Sequence, residues 1–439
     1  MVSVRCDPTR MKALLAGAAL LAALGAAGCG SSPDGLLTTD APGVTREPCP
    51  HAVNKDHGCI YLGTLSDLTT GPFTAMGVPI TKVQRAFWDR VNRQGGIGAY
   101  DIDVVTYVRD NHYDPRVQVS AYNEIRGKVL ALAQTLGSPA TDAILGRLRA
   151  DEMIALPVSW TSKWEFEDNI LESGASYCFE AMNGVDYGAD HFGAKSVMAV
   201  HYSGDYGDDA AAGARIAAEA RGLSFIDVPT VQGAPGKSAA AQEEAVRAIL
   251  ARDPDLVVLT TSPADAAAII GATVRRGYRG RFMGDNPTWA KGLLRDPAIG
   301  AMKERYLQVA PWKPFAADSP GHTAMRQALG RVEPDDSLTT GWVVSYPLKA
   351  ALERAVEAED LTRKGLLAAV RGIRHVDYEG ILPGVAGNSA GSPDASAFRQ
   401  SVIGRPDEHE FTGIKPITDF AAGPTAKAHR LDGPCYSAG

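Results

Sequence analysis

Nowhere does the 439-residue chain reach the roughly 20 consecutive apolar residues that a membrane-spanning helix needs. The longest apolar run, ALLAGAALLAALGAAG at residues 13–28, is 16 residues long, so a polytopic membrane protein is excluded. No Lys/Arg-rich block occurs either. Lys and Arg total 44 against 51 Asp and Glu, a net charge of -7, which argues against a nucleic-acid binder. The Gly95-Gly96-Ile97-Gly98 segment follows a helical pattern and precedes a strand, the reverse of the dinucleotide-binding context. Cysteines are few, and the cluster Cys49-Pro50-His51 with His57-Gly58-Cys59 has the ligand types of zinc but none of the zinc-finger spacings. With 45% hydrophobic and 22% charged residues the chain is not a disordered one. Its length calls for two or three folded units.

The N-terminal segment is the first positive feature. Arg10 and Lys12 precede the apolar run, which ends in small residues before Cys29, the form of an export signal over residues 1–28. Ala26-Ala27-Gly28-Cys29, with Leu24 upstream, resembles the lipobox of bacterial lipoproteins, and this resemblance implies a lipid on Cys29. Met11-Lys12 also has the form of a start, leaving residues 1–10 as an alternative extension. Residues 29–58, rich in Gly, Ser, Pro and Thr without apolar periodicity, read as a tether. Outside the signal, Cys49, Cys59, Cys178 and Cys435 form an even set, which in an oxidising compartment predicts two disulfides with three possible connectivities. The closeness of Cys49 and Cys59 favours that pair, with Cys178 and Cys435 as the other.

From Ile60 onward the pattern alternates between β-type runs and helical periodicity. Ile60 to Leu65 is followed by the turn Thr70-Gly71-Pro72, and then Ile80, Val83, Phe87 and Val91 recur at helical spacing. The same unit predicts strands at 101–108, 129–136, 153–157, 195–201, 223–228, 255–260 and 280–284, with helices at 116–128, 140–150, 207–221, 238–252 and 263–276. Continuous apolar strands such as Leu256 to Leu259 fit sheets covered on both faces. The fold class is therefore α/β, with two doubly wound parallel-sheet lobes joined by a hinge. One long helix from Trp342 to Val356 and another near 361–371 belong to a segment that returns to the first lobe.

Ligands of open parallel sheets sit beyond the carboxyl ends of the strands. There the sequence places Gly137-Ser138-Pro139-Ala140-Thr141, which opens a helix with hydroxyls and free N–H groups suited to a carboxylate. Val158-Ser159-Trp160-Thr161 follows another strand, with a tryptophan able to cover an apolar or cationic group. Tyr202-Ser203-Gly204-Asp205-Tyr206 and Asp285-Asn286-Pro287 occupy the same end of the second lobe. Polar and aromatic loops at one end of both lobes predict a site between them.

The segment Gly63 to Pro72, Val91-Asn92-Arg93-Gln94-Gly95-Gly96-Ile97, the turn Asp110 to Pro115, LGSPAT at 136–141, SGDYG at 203–207 and RFMGDN at 281–286 resemble, in order, type I periplasmic binding proteins. The leucine/isoleucine/valine-binding branch is the most similar. The resemblance spans about 58–384 and implies two lobes that close on a small solute and deliver it to an ABC permease with its ATPase, without catalysis, cofactor or metal. It implies lobe 1 at 59–178 and 313–385, lobe 2 at 179–312, and a C-terminal segment, 386–439, on lobe 2. By position, Ser138, Thr141 and Ser159 correspond to hydroxyls that hold a ligand carboxylate, and Tyr206 to an aromatic packing from the other lobe. The acidic residue for an α-amino group falls at Asp285 or Asn286, with Asp205 as a substitute. Trp160 stands where the family has a small or hydroxylated residue. The expected protein is an extracytoplasmic lipoprotein on the outer face of the membrane, binding a branched-chain-type amino acid or a related carboxylate or amide. A sensing subunit of the same fold is the alternative.

Gly387-Asn388-Ser389-Ala390-Gly391 fits G-x-S-x-G and raises a hydrolase reading, with Glu408 and His409 or His429 as partners. The Gly/Ser/Pro-rich surroundings favour a surface loop over a nucleophile elbow. Asp407 to Glu410 reads as a solvated charge run.

Overall fold

A computed structural model describes residues 37, 40–231 and 238–436. The first sheet contains β1 (Val44–Thr45), β2 (Gly58–Ser66), β3 (Tyr100–Asp110), β4 (Ala131–Thr135) and β5 (Ala155–Pro157). Its parallel strands run β3-β2-β4-β5. The second sheet contains β6 (Ser196–Tyr202), β7 (Ser224–Thr230), β8 (Leu256–Thr260), β9 (Arg281–Gly284), β10 (Tyr306–Ala310), β11 (Val402–Pro406) and β12 (Ile414–Pro416), in the order β12-β11-β10-β9-β8-β6-β7. Only the β10–β11 and β11–β12 pairings are antiparallel there. In both sheets the order reverses about the first strand, between β2 and β4 and between β6 and β8. These switch points leave the crevices in which open α/β sheets take ligands.

The helices follow the strands: α1 (Thr74–Arg93), α2 (Pro115–Ile125) and α3 (Ser138–Ala150) in the first lobe, then α4 (Tyr177–Phe192), α5 (Asp205–Ala220), α6 (Ala239–Arg252), α7 (Pro263–Arg275) and α8 (Ile299–Arg305) in the second. Side chains fix several starts. Asp114 accepts from the Arg116 N–H at α2, and Ser262 from the Asp265 N–H at α7, each satisfying a donor the helix cannot. By contrast, α3 and α5 begin after Gly137 and Gly204 without a side-chain cap. Among the described residues no helix is long and apolar enough to cross a membrane.

After β10 the chain returns to pack α9 (Pro320–Leu329) and α10 (Asp336–Val343) on α1, followed by α11 (Ser345–Glu357) and α12 (Arg363–Val370). The single helix expected from Trp342 to Val356 is two helices meeting at Val344. Pro347 has no N–H for the Val343 carbonyl, and its ring crowds that carbonyl. The chain crosses between lobes through 171–176, 311–319 and 397–401.

Residues 41–57, read from sequence as part of a tether, pack on the first lobe. β1 pairs antiparallel with the start of β2, and Asp101 accepts the backbone N–H groups of Val53 and Asn54 at 2.8 and 2.9 Å. Cys49 is bonded to Cys59 and Cys178 to Cys435, the pairing favoured by the spacing. The signal residues and Cys29 lie outside the described residues. Ser389 is preceded by a 3-10 turn, Gly384–Gly387, rather than a strand, and its hydroxyl donates to the Val370 carbonyl at 2.9 Å, so no nucleophile elbow forms.

Candidate functional site

The carboxyl ends of the two sheets face a small, partly open cavity lined from both lobes. Lobe 1 contributes Phe73 and Met76 from the start of α1, Tyr113 before α2, Ser138 at the start of α3, and Ser159 and Trp160 beyond β5. Lobe 2 contributes Tyr177 from α4, Tyr206 from α5 and Pro287 beyond β9. Among the described residues no charged side chain lines this cavity.

The Ser138 position is set from two sides. Gly137 has φ +101°, a conformation glycine adopts without strain, and a Cβ there would meet the Tyr113 ring at 2.6 Å. Tyr113 in turn is left-handed, φ +58°, and Asn111 holds it by accepting its N–H while donating to the Leu136 carbonyl, at 2.9 Å in each case. The Ser138 hydroxyl, 1% exposed by residue, has no hydrogen-bond partner. Because α3 lacks a side-chain cap and Pro139 supplies no N–H, this hydroxyl and the remaining free N–H groups form a local donor set at the positive end of the helix.

Tyr206 forms the opposing wall. Its ring lies edge-on to Tyr177 at 4.9 Å and to Phe73 at 6.2 Å, so aromatics of the two lobes meet across the cleft. Its hydroxyl donates to the Asp285 Oδ1 at 3.0 Å and approaches the Thr261 carbonyl at 3.3 Å. Burial, reinforced by Asp285, raises the Tyr206 phenol, which stays protonated. Burial also pushes Asp285 up to about 8, against which the Tyr206 hydrogen bond works only partly. Its Oδ2 has no hydrogen-bond partner, nor does either carboxyl oxygen of Glu180, a fully buried α4 residue held well above the usual carboxylate range by burial and by Asp285. Two buried acids thus stand behind the tyrosine wall, both held above the usual carboxylate range by burial.

Of the sequence candidates, Ser138, Ser159, Trp160 and Tyr206 are brought to one cavity. Thr141 is not among its lining residues: its hydroxyl is 3.0 Å from the Thr135 hydroxyl, which accepts from Gln118. Asp285 lies behind Tyr206, and Asn286 lines a separate, smaller cavity beside Gln308 and Trp312. Asp205 opens α5, and its side chain lies outside the described ones. Sequence reasoning missed Phe73, Tyr113, Tyr177 and the buried Glu180. Phe73 follows the turn at 70–72 and Tyr113 lies within the turn at 110–115, a signal that is present in the sequence, whereas Tyr177 and Glu180 carry none.

Two α/β lobes, crossovers between them and a cavity lined from both define a two-lobed ligand-binding protein. Residues 60–407 match the periplasmic binding protein family, and the chain belongs to it. Solved structures agree. A fatty acid ABC transporter substrate-binding protein from Thermomonospora curvata shares 28% identity, with 90% of this chain and 97% of that one covered at a TM-score of 0.80. A branched-chain amino acid ABC transporter protein from Thermus thermophilus, solved with bound valine, shares 17% over 84% and 98% of the two chains at 0.71. A leucine-binding protein from Thermotoga maritima shares 16% over 83% and 99% at 0.66. No curated protein shows significant similarity to the chain. The coarse function is accordingly periplasmic solute binding for an ABC transporter, in a family of binding proteins rather than enzymes.

Proposed function

We propose that the solute is a small organic acid with a predominantly apolar body, captured between the lobes and handed to an ABC permease by a protein tethered through a lipid on Cys29. The observation that carries this reading is the buried Ser138 hydroxyl without a partner, at an uncapped helix N-terminus, in a cavity whose other walls are mainly aliphatic and aromatic, with Ser159 and Thr340 the other hydroxyl-bearing residues apart from the tyrosines. A carboxylate is stabilised by such donors and by the helix dipole, and an alkyl or aryl body by the aromatic walls. The 28% identical Thermomonospora curvata protein is described as binding fatty acid, which agrees with this chemistry. An ammonium group finds no ionised partner among the lining residues, because Asp285 is shielded by Tyr206 and pushed up to about 8.

A second reading, a branched-chain amino acid, has one observation in its favour: the unpartnered Oδ2 of Asp285, which an ammonium reaching past Tyr206 would occupy and ionise. Calorimetry with straight-chain and branched carboxylic acids, the matching amides, and valine, leucine and isoleucine separates the two. Acids binding at least tenfold more tightly than the amides and amino acids support the first reading. Preference for the amino acids, lost in Asp285→Asn, overturns it. Release of a Cys29→Ala protein from the membrane fraction tests the anchor.

A further inference from the structure

A second cavity adjoins the first. It is smaller than the first, with little free room of its own while both indoles are in place, and is lined by Asn286, Gln308, Trp312, Asp336 and Val402, among others. Two independent features put it behind one wall of the cleft. Trp160 lines the first cavity and Trp312 the second, and their rings meet edge to face at 5.1 Å. Pro287 lines the first and its neighbour Asn286 the second. The partition is therefore two indoles and one peptide unit thick.

From this arrangement we infer that Trp160 sets the upper limit on solute length by closing off the second chamber. The inference rests on the acid reading above and extends it to chain length. Trp160 is well held for such a role. Its Nε1–H donates to the Ser173 carbonyl at 2.9 Å, its ring also meets Tyr177 at 6.2 Å, and 2% of its surface is exposed. Trp312 is fixed from the other side, on a crossover where Gly174 approaches so closely that a Cβ would meet Pro311 Cβ at 2.7 Å. An acid anchored at Ser138 that grows past the first chamber meets the Trp160 face and cannot bury further methylenes. Without the indole it extends toward Trp312 and Ala310 into the second chamber, and each methylene so buried strengthens binding about fourfold.

Calorimetry on the mature chain with straight-chain acids of increasing length reads this directly. In the wild type, affinity is expected to rise with length and then fall. In Trp160→Ala the optimum should move to longer acids, with the longest gaining at least tenfold relative to the shortest. Trp160→Phe should shift it less. Trp160→Leu keeps more apolar bulk for folding, and Trp312→Leu opens the partition from the other side, so the test survives if Trp160→Ala does not fold. Adding Ala310→Leu to the opened protein should refill the second chamber and restore the wild-type optimum. A folded Trp160 variant with an unmoved optimum overturns the inference. If the wild type binds leucine and no acid, the acid reading fails by itself. The partition is then read from phenylalanine against leucine, and an unchanged ratio in Trp160→Ala overturns it.

Discussion

The two walls of the cleft spend their hydrogen bonds differently. The lobe 1 wall keeps a hydroxyl in reserve: Ser138 is buried, unpartnered and surrounded by Phe73, Met76 and Leu136. The lobe 2 wall has committed its hydroxyl, since Tyr206 bonds to Asp285 and Thr261, and its acids stand behind the ring rather than in the cavity. Unmet buried polar groups are costly, so one that faces a ligand site is a demand for a ligand atom. On the proposed reading, lobe 1 orients the polar end of the solute and lobe 2 covers its apolar body. The lobes also differ in covalent closure: Cys49–Cys59 spans 10 residues in the first, whereas Cys178–Cys435 spans 257 and ties α4 to the C-terminal segment.

That contrast is most strongly tested by the disulfides. In the chain-entropy account, removing Cys178–Cys435 by paired Ser substitution should cost about 5 kcal/mol and removing Cys49–Cys59 about 3 kcal/mol. Guanidinium unfolding monitored by circular dichroism measures both, and equal losses would erase the difference between the lobes. Next in size is Tyr206→Ala, expected to weaken binding about thirtyfold or more as a central aromatic contact is lost. Tyr206→Phe should cost less than about tenfold, because the hydroxyl already bonds within lobe 2. A larger loss in the Phe variant would mean that lobe 2 also offers its hydroxyl to the solute. Ser138→Ala removes a hydrogen bond to a charged group, worth roughly 1.5–3 kcal/mol, and should weaken binding by about tenfold to a hundredfold in calorimetry. Unchanged affinity in that variant would remove the orienting role from lobe 1.

The remaining effect is on pH dependence. Burial raises Asp285 from 3.8 to about 8, so between those values the folded chain holds a proton that the unfolded chain has lost. Its contribution is therefore fully present below about pH 4 and is lost as pH rises toward 8. Glu180 acts in the same direction. Thermal melts across this range should fall less steeply for Asp285→Asn than for the wild type, and parallel curves would argue against a buried acid behind Tyr206.

Much of the architecture was legible because the strands are continuous apolar runs and the helices carry marked starts. Leu256–Thr260 and Pro263–Arg275 lie within a residue of their expected bounds, the helix announced by Ser262-Pro263. What escaped depends on distant pairing. β11 and β12 are short and antiparallel, and β1 has two residues whose pairing along β2 no local pattern announces. The site divides in the same way. Ser138, Ser159, Trp160 and Tyr206 follow directly on strand ends, where topology alone aims them at the cleft. Thr141 follows Ser138 by one helical turn but leans on Thr135, and the consecutive Asp285 and Asn286 serve different surroundings, choices that only tertiary packing decides.

One residue touches the solute cavity and the interlobe crossovers at once. Of the six tryptophans in the sequence, Trp160 alone lines the cleft, while its indole is hydrogen-bonded to one crossover at Ser173 and meets Trp312 on another edge to face. Edge-to-face indoles at this separation behave as coupled chromophores. On the proposed reading, a solute resting on Trp160 or a rotation of the lobes would alter their mutual geometry, which would give the unlabelled protein its own optical gauge of occupancy in near-ultraviolet dichroism and indole emission.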